Sequence, residues 1–270
     1  DIGFAGATYK AMYFAGSGIS SLSLEDRMTL TNMAIEAGGK NGICDVDKKT
    51  LDYVQARSNR PDWTIYEEDD DCTYDYEQTW DLANFEPLVA APHSPDNTKT
   101  ARELQQANTK LDRAYIGSCT GGKITDMIFA ANILHGNEVK IATFVVPGST
   151  EVHQDMLTLN LYGEPVDENS GDKKASTSVY KTLEDAGCLI GAASCAACLG
   201  GPKDTFGRLN EPINCISTTN RNFPGRMGHK EAGVYLASPL TAAASALTGV
   251  VTDPREYFSE PILTGSAGVV

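Results

Sequence analysis

The feature that most constrains this chain is a repeated alternation of strand-like and helix-like segments after about residue 110. Each short apolar run leads through a turn into a segment of helical composition. The candidate strands are DRAYIG, KIATFVVPG and INCIST, and the candidate helices are GGKITDMIFAANILHG, STEVHQDMLTL, STSVYKTLEDAG and SPLTAAASALTG. Alternation of this kind predicts an α/β fold with an open, mainly parallel sheet.

The first forty residues follow a different pattern, which is mostly helical. Ser23 and Asp26 form a candidate N-cap, and the pair Gly38-Gly39 forms a stop, so a helix is predicted between them. A second short helix is predicted over about residues 47–57.

Residues 63–110 carry a weaker pattern, and we interpret them as a connection between two folded parts. They include the acidic and aromatic stretch YEEDDDCTYDYEQ, and PLVAAPHSPDN, which predicts a strand running into a proline-rich turn. The predicted organisation is therefore residues 1–62, a connecting segment over 63–110, and an α/β domain over 111–270. Within that domain, the segment YGEPVDENSGDKKAS has loop composition.

Composition excludes several classes of partner. Of the 270 residues, 41% are hydrophobic, which is typical of a globular protein. The net charge of −14 argues against nucleic acid, because phosphates would be repelled, and no apolar run approaches the length of a membrane span. An anionic substrate would need a local cluster of arginines. The odd count of seven cysteines argues against a disulfide scaffold.

Three cysteines are predicted to meet at one edge of the sheet. Cys119 directly follows the candidate strand in AYIGSCTGGKITD, and Cys195 and Cys198 form a C-x-x-C motif in a loop ahead of a later strand. Asn220 and Arg221 follow the strand INCIST. Ligands of open α/β sheets bind where strands end and helices begin, so these elements point at one site.

The chemistry of the three thiols has several readings. One distant cysteine with a C-x-x-C pair matches a cubane iron–sulfur cluster that has three protein ligands and one open iron, which can act as a Lewis acid. Zinc would need a fourth ligand, for which His229 in GRMGHKE is the nearest candidate. A redox dithiol would use the C-x-x-C pair without the third cysteine.

Two pairs of polar residues are candidates for substrate contacts. Arg221 and Arg226 stand five apart in a loop interrupted by Pro224-Gly225, and two guanidinium groups aimed inward would hold a dicarboxylate. The alternative is a pair of ordinary surface arginines. Asn32 and Glu36 stand four apart and would share one helical face, which is either a solvated polar face or one that looks into a site.

Several motifs in the same order resemble one family. GSCTGGK, SCAACLGG, STTNRNFPGRMGHKE and ASPLTAAASALTG together are similar to the aconitase superfamily, and within it to the large subunits of the 3-isopropylmalate dehydratases, especially those of plant and algal plastids. GATYKAMYFAG, LSLEDRMTLTNMAIEAGGKNG and APHSPDN extend the similarity to nearly the whole chain. The resemblance implies an aconitase-like three-layer α/β domain, preceded by part of the family's second α/β domain over residues 1–62.

The resemblance also implies a function and a set of site residues. The family is a hydro-lyase family with a [4Fe–4S] cluster, and these members interconvert 2-isopropylmalate and 3-isopropylmalate in leucine biosynthesis. The resemblance implies a role for each residue that matches a motif of the family. Cys119, Cys195 and Cys198 would hold the cluster, Asn220, Arg221 and Arg226 would lie beside it and bind the substrate carboxylate, and Asn32 and Glu36 would position the hydroxyl group or water.

Departures from the family pattern limit what the chain is expected to do alone. The family's large subunit has a further N-terminal domain with histidine and aspartate residues of the site, and the swivelling domain that supplies a serine base is a separate small subunit. The chain is therefore expected to be a fragment or a processed piece, with that small subunit as its partner and the chloroplast stroma, or alternatively the cytoplasm, as its compartment. Ala196 replaces an expected glycine between the paired cysteines. A homoaconitase or aconitase-like hydro-lyase, an inactive relative that serves in binding or assembly, and a zinc-stabilised domain are the alternatives.

Overall fold

A computed structural model describes residues 2–60, 62–162 and 177–258 of the chain. It divides into two compact units, Asp1–Phe85 and Glu86–Val270. The boundary falls inside the segment 63–110 that the sequence analysis interprets as a connection. The loop-like segment predicted in YGEPVDENSGDKKAS lies almost entirely outside the described residues.

The first unit pairs two short parallel strands with helices, and its elements are as follows. They are β1 (Ala11–Phe14), α1 (Ser17–Ser21), α2 (Leu24–Met33), a 3₁₀ helix (Ala34–Ala37), β2 (Asn41–Cys44), α3 (Lys48–Arg57) and a 3₁₀ helix (Leu82–Asn84). The predicted N-cap is confirmed, because the Ser23 hydroxyl accepts a hydrogen bond from the Asp26 amide at 3.1 Å. The predicted stop is also present: Gly38 ends the helical segment with a left-handed φ of 82°.

An ion pair between a buried arginine and a half-buried aspartate connects the two main helices of this unit. Arg27 on α2 is only 3% exposed, and its Nη2 donates to Oδ2 of Asp47 at 2.5 Å and to the carbonyl oxygen of Ser20 at 3.2 Å. Asp47 is also the N-cap of α3, where its side chain accepts from the Thr50 amide at 3.2 Å. One carboxylate therefore both starts α3 and compensates a buried charge.

The second unit is built on a larger sheet. Its strands are β3 (Leu88–Ala90), β4 (Thr98–Thr100), β5 (Arg113–Gly117), β6 (Ala142–Val146), β7 (Asn160–Tyr162), β8 (Thr177–Ser178), β9 (Leu189–Ile190), β10 (Asn214–Ser217) and β11 (Gly233–Leu236). Its α-helices are α4 (Ala101–Gln106), α5 (Ser118–Gly121), α6 (Ile124–Leu134), α7 (Thr150–Thr158), α8 (Val179–Asp185) and α9 (Pro239–Thr248). Short 3₁₀ helices cover Ala197–Leu199 and Pro254–Glu256.

Within the described residues, seven of these strands form one sheet in the order β4-β3-β11-β10-β5-β6-β9. The five strands from β11 to β9 are parallel to one another, whereas β3 is antiparallel to both β11 and β4. The prediction of a mainly parallel α/β sheet is confirmed. The described ends of β7 and β8 form a separate antiparallel pair.

The structure differs from the sequence prediction at residues 88–106, which supply two strands of the sheet and the helix α4 of the second unit. Val89 on β3 is fully buried, and the side chains of Thr100 and Glu103 form a reciprocal capping box that starts α4. The proline-rich turn hides this continuity, because it joins two strands of three residues each. The strand predicted in PLVAAPHSPDN is β3, whereas β4 is too short to show an alternation in the sequence.

The two faces of the sheet are covered differently, because side chains alternate along each strand. Ala114, Ile116 and Ile216 lie in one core with α6, α7, α8 and α9. Tyr115, Cys215 and Val234 lie in a second core, which includes Ala197, Leu209 and Met227 from irregular segments. The face that carries Tyr115 is thus covered by loops, and the chemically interesting residues are in those loops. Among the helices in the described ranges, none has both the length and the apolar character to cross a membrane.

Candidate functional site

Cys119 is presented by a sharp turn at the end of β5. The strand ends at Gly117, and Ser118, the first residue of the one-turn helix α5, takes a left-handed φ of 78°. A left-handed conformation costs a residue with a Cβ about 1–3 kcal/mol, so the surroundings must hold it. The turn directs Cys119 outward, and its side chain is exposed.

Thr218, which follows β10, holds this turn in place. Its Oγ1 accepts from the Gly117 amide at 2.8 Å and donates to the carbonyl oxygens of Gly117 and Gly121 at 2.9 and 3.1 Å. The Thr218 carbonyl also accepts from the Ser118 hydroxyl at 3.4 Å. The sequence analysis did not single out Thr218, because its partners are about 100 residues away along the chain.

Cys195 and Cys198 lie in the loop that covers the same sheet face. Cys198 is buried and belongs to the 3₁₀ helix Ala197–Leu199, whereas Cys195 is half-buried just before it. Gly200 ends this helix with a φ of 65°, and a Cβ there would lie 3.0 Å from the carbonyl oxygen of Arg226. Only glycine combines this backbone conformation with the close approach of the arginine loop.

The structure brings the three predicted thiols together. Hydrogen bonding by the Cys198 thiol, followed by the Cys119 amide and thiol, lowers the pKa of Cys195 to about 5 against the opposing effect of burial. Its hydrogen bond to Cys195 and its burial raise the pKa of Cys198. The cluster of sulfur atoms therefore favours at least one thiolate at neutral pH. All seven cysteines are in described residues, and none is joined in a disulfide.

Two of the polar residues predicted beside the thiols contact Cys198. Nη2 of Arg226 lies 3.8 Å from the Cys198 sulfur, and Oδ1 of the buried Asn220 accepts from the same sulfur at 3.7 Å. Among the described residues, nothing accepts a hydrogen bond from the buried Nε of Arg226. Arg221 lies in the same loop, where its guanidinium carbon is 5.9 Å from the centre of the Phe223 ring.

Asn222 fixes the arginine loop and was also missed by the sequence analysis. It is 1% exposed, and its Nδ2 lies within hydrogen-bond distance of the carbonyl oxygens of Ala91 and Val234, at 2.9 and 3.2 Å. Its position between Arg221 and Arg226 could have indicated an anchoring residue, because a polar side chain in a loop packed against a sheet needs hydrogen-bond partners.

The structure gives no support to a zinc site. Nδ1 of His229 accepts from the Glu231 amide at 3.2 Å, in a groove of about 740 Å³ that Lys203, Arg208 and Lys230 also line. In the ranges that the structure describes, no three or more His, Cys, Asp or Glu side chains are arranged to hold a single metal ion. A single zinc ion needs its donors around one point, whereas the thiolates of an iron–sulfur cluster bind different iron atoms.

Asn32 and Glu36 belong to the first unit. Asn32 is half-buried on α2, whereas Glu36 is 4% exposed. The α-helix ends at Met33, and Glu36 lies in the 3₁₀ helix that follows. The spacing predicts that the two residues share one face of a regular α-helix, and this prediction is wrong. The chain tightens into a 3₁₀ helix before Gly38, so only Asn32 is on the α-helix.

Comparison with known proteins gives a consistent result over almost the whole chain. The profile of the aconitase family (aconitate hydratase) matches residues 1–249. The chloroplastic 3-isopropylmalate dehydratase large subunit of Arabidopsis thaliana is 52% identical over 260 residues, which are 95% of this chain and 48% of that protein. A 3-isopropylmalate dehydratase large subunit of Pyrococcus abyssi is 43% identical over 258 residues, which are 95% of this chain and 56% of that protein. The chain thus spans about half the length of the curated relatives it matches.

Proposed function

Because this chain belongs to the aconitase family, we propose that it is part of the large subunit of a 3-isopropylmalate dehydratase, the hydro-lyase that interconverts 2-isopropylmalate and 3-isopropylmalate in leucine biosynthesis. The observation that carries the proposal is the meeting of Cys119, Cys195 and Cys198 beside Arg226. The names of the Arabidopsis and Pyrococcus relatives supply the substrate and the reaction.

The donor set fits a [4Fe–4S] cluster. Cys119, Cys195 and Cys198 supply three thiols from two loops, and hydrogen bonding already favours the thiolate at Cys195. Such a cluster, held by three protein ligands, supplies a Lewis acid at its fourth iron. Arg226 places positive charge next to Cys198, which offsets the repulsion between neighbouring thiolates.

Arg226 is the residue best placed to bind a substrate carboxylate. Its buried Nε is without a hydrogen-bond partner among the described residues, although a guanidinium N–H removed from water needs an acceptor. A carboxylate can take up Nε together with a neighbouring N–H in the fork geometry that arginine favours. We assign the same function to Arg221, and we assign Asn220 to the orientation of the Cys198 sulfur.

The remaining assignments follow from the family. Asn32 and the buried Glu36 would position the hydroxyl group or water of the reaction, and the small subunit would be the partner. Residues 1–62 would be the end of the family's second domain, and the cluster-binding domain would include residues 111–270. We propose the chloroplast stroma as the compartment, after the chloroplastic Arabidopsis relative; relatives of Clostridium botulinum and Pyrococcus abyssi leave the cytoplasm as the alternative.

Anaerobic reconstitution tests this function directly. The chain is incubated with iron and sulfide, and its visible charge-transfer absorption is compared with that of Cys195→Ser and of Cys72→Ser, in which an exposed cysteine of the first unit is replaced. A broad brown band in the parent and in Cys72→Ser, lost in Cys195→Ser, supports the cluster site. Absence of the band in the parent, or the same band in all three proteins, overturns it.

A further inference from the structure

Tyr115 is a buried polar side chain that the proposed function does not use. It lies on β5, is 0% exposed, and belongs to the core on the loop-covered face of the sheet. Nothing in the described part of the chain forms a hydrogen bond with its hydroxyl group. A hydroxyl that is removed from water needs a partner, and folded proteins supply one to most such groups.

The ring of Tyr115 is held against the loop that carries the paired cysteines. A Cβ on Gly207 would lie 2.8 Å from Cε2 of the ring and 3.7 Å from Cβ of Ala197, the residue before Cys198. On the other side, a Cβ on Gly117 would lie 3.2 Å from Cε1 of the ring. The glycines at both positions leave room for the ring, which cannot turn its hydroxyl to solvent.

The charges around the hydroxyl come from the cysteines. Burial raises the pKa of Tyr115, and a negative charge on Cys198, Cys195 or Cys215 raises it further when that thiol is ionised. The hydroxyl therefore stays protonated at neutral pH and can donate a hydrogen bond. Arg113, two residues earlier on the same strand, is engaged elsewhere: its Nη1 donates to the Arg208 carbonyl at 2.9 Å.

We propose that Tyr115 is a positioning residue whose hydroxyl donates a hydrogen bond to a sulfur atom of the iron–sulfur cluster held by Cys119, Cys195 and Cys198. This inference rests on the proposed function, because the bound group supplies the acceptor that the chain lacks. A hydrogen bond to cluster sulfur withdraws electron density and raises the reduction potential of the cluster. The same bond helps to retain the cluster, because outer hydrogen bonds orient and stabilise metal ligands.

The proposal predicts that Tyr115→Phe stabilises the cluster-free protein but weakens the retention of the cluster in the reconstituted protein. In the cluster-free form, Tyr115→Phe removes a buried group without a partner, so its melting temperature is expected to rise by roughly 2–4 °C. In the reconstituted form, the same change removes a hydrogen bond to a charged acceptor. Iron loss to a chelator is then expected to be about tenfold faster, and the reduction potential lower. A purely structural tyrosine would not change the potential.

The experiment compares the parent with Tyr115→Phe and Tyr235→Phe under anaerobic conditions. Tyr235 is the matched control, because it lies in the same sheet, on β11, but packs against the helix-covered core. Melting is followed without the cluster; after reconstitution, the reduction potential and the rate of iron transfer to a chelator are measured. The proposal expects changes in Tyr115→Phe alone.

Each other outcome overturns the inference in a recognisable way. If the parent takes up no cluster, the proposed function and the Tyr115 proposal fail together. If the parent takes up the cluster but Tyr115→Phe matches it in potential and in iron loss, only the Tyr115 proposal fails. Equal shifts in Tyr115→Phe and Tyr235→Phe would assign the effect to general packing and also refute it.

Discussion

The hydroxyl of Thr218 is the most informative single group to remove, because it holds the turn that presents Cys119. Thr218 is 3% exposed, and its Oγ1 accepts from the Gly117 amide at 2.8 Å while donating to the Gly117 carbonyl at 2.9 Å. Thr218→Val keeps the shape of the side chain but removes both interactions. The buried Gly117 amide then loses its partner, and no water replaces it in the packed core.

The size of the effect follows from these contacts. Leaving a buried backbone donor unpaired costs about 1–3 kcal/mol, and the second hydrogen bond contributes about 1 kcal/mol. The expected loss in the free energy of unfolding is therefore about 3 kcal/mol, which is a fall of roughly 6–12 °C in melting temperature. Iron uptake is expected to fall too, because the strained φ of Ser118 relaxes when Gly117 is released.

Thermal and chemical unfolding of the cluster-free protein measure this loss. Thr182→Val is the matched control, because Thr182 is equally buried but makes a hydrogen bond to the Ser178 carbonyl at the start of α8, away from the cysteines. Thr218→Ser keeps the hydroxyl and is expected to retain most of the stability. A Thr218→Val variant that melts with the parent, or no lower than Thr182→Val, would refute the assignment of Thr218 as the anchor of the turn.

Two further predictions concern pH and a buried charge. Burial raises the pKa values of Cys188 and Cys215 to about 12, so both thiols stay protonated in the folded protein while the unfolded chain loses these protons above about pH 9. The unfolding free energy should therefore fall by about 2 kcal/mol for each thiol between pH 9 and 10.5. In chemical denaturation, Cys188→Ala should lose less unfolding free energy over this pH range than the parent. An equal loss in the two proteins would contradict this. The Arg27 guanidinium lowers the pKa of Asp47 to about 2, so this pair stabilises the protein above about pH 4 and the stabilisation is lost as the pH falls toward 2. At pH 7, Asp47→Asn should lower the unfolding free energy by about 2 kcal/mol, because Arg27 stays buried without its partner. Asp52→Asn is the control: it breaks an exposed ion pair and should change the unfolding free energy by less than about 0.5 kcal/mol. Similar losses in both variants would refute the greater contribution of the Arg27–Asp47 pair.

The parts of the fold that were predictable from sequence are those with strong local signals. The candidate strands DRAYIG, KIATFVVPG and INCIST are β5, β6 and β10, and the four candidate helices are α6, α7, α8 and α9. Each of these is a run long enough to show its period, with glycine, proline or a capping residue at its end. Local chemistry alone therefore predicts the parallel centre of the sheet and the existence of these four helices.

The parts that sequence did not predict are those that depend on distant partners. Strands β4 and β9 have three and two residues, and their pairing is set by neighbours in the sheet and not by their own periodicity. The anchoring function of Thr218 depends on a strand end about 100 residues away. In contrast, the meeting of Cys119 with the C-x-x-C pair was expected from the sequence, because ligands of open α/β sheets bind where strands end and helices begin, although β9, the strand before Cys195, was not predicted.

Several features that are unfavourable or unusual in a folded protein occur together at the candidate site, and a bound group would account for them. Ser118 is held in a left-handed conformation, the Tyr115 hydroxyl and the Arg226 Nε are buried without described partners, and Cys195 favours a charged thiolate. The strained backbone of Ser118 and the two unpaired buried groups cost free energy that a better packed loop would avoid, whereas the lowered pKa of Cys195 means that the fold already stabilises its thiolate. A bound group that accepts hydrogen bonds and coordinates thiolates would relieve most of these costs at once. A group that binds the folded state but not the unfolded state raises the free energy of unfolding. The cluster-free protein should therefore be less stable than the loaded protein, by more than the loss of any single contact would cause.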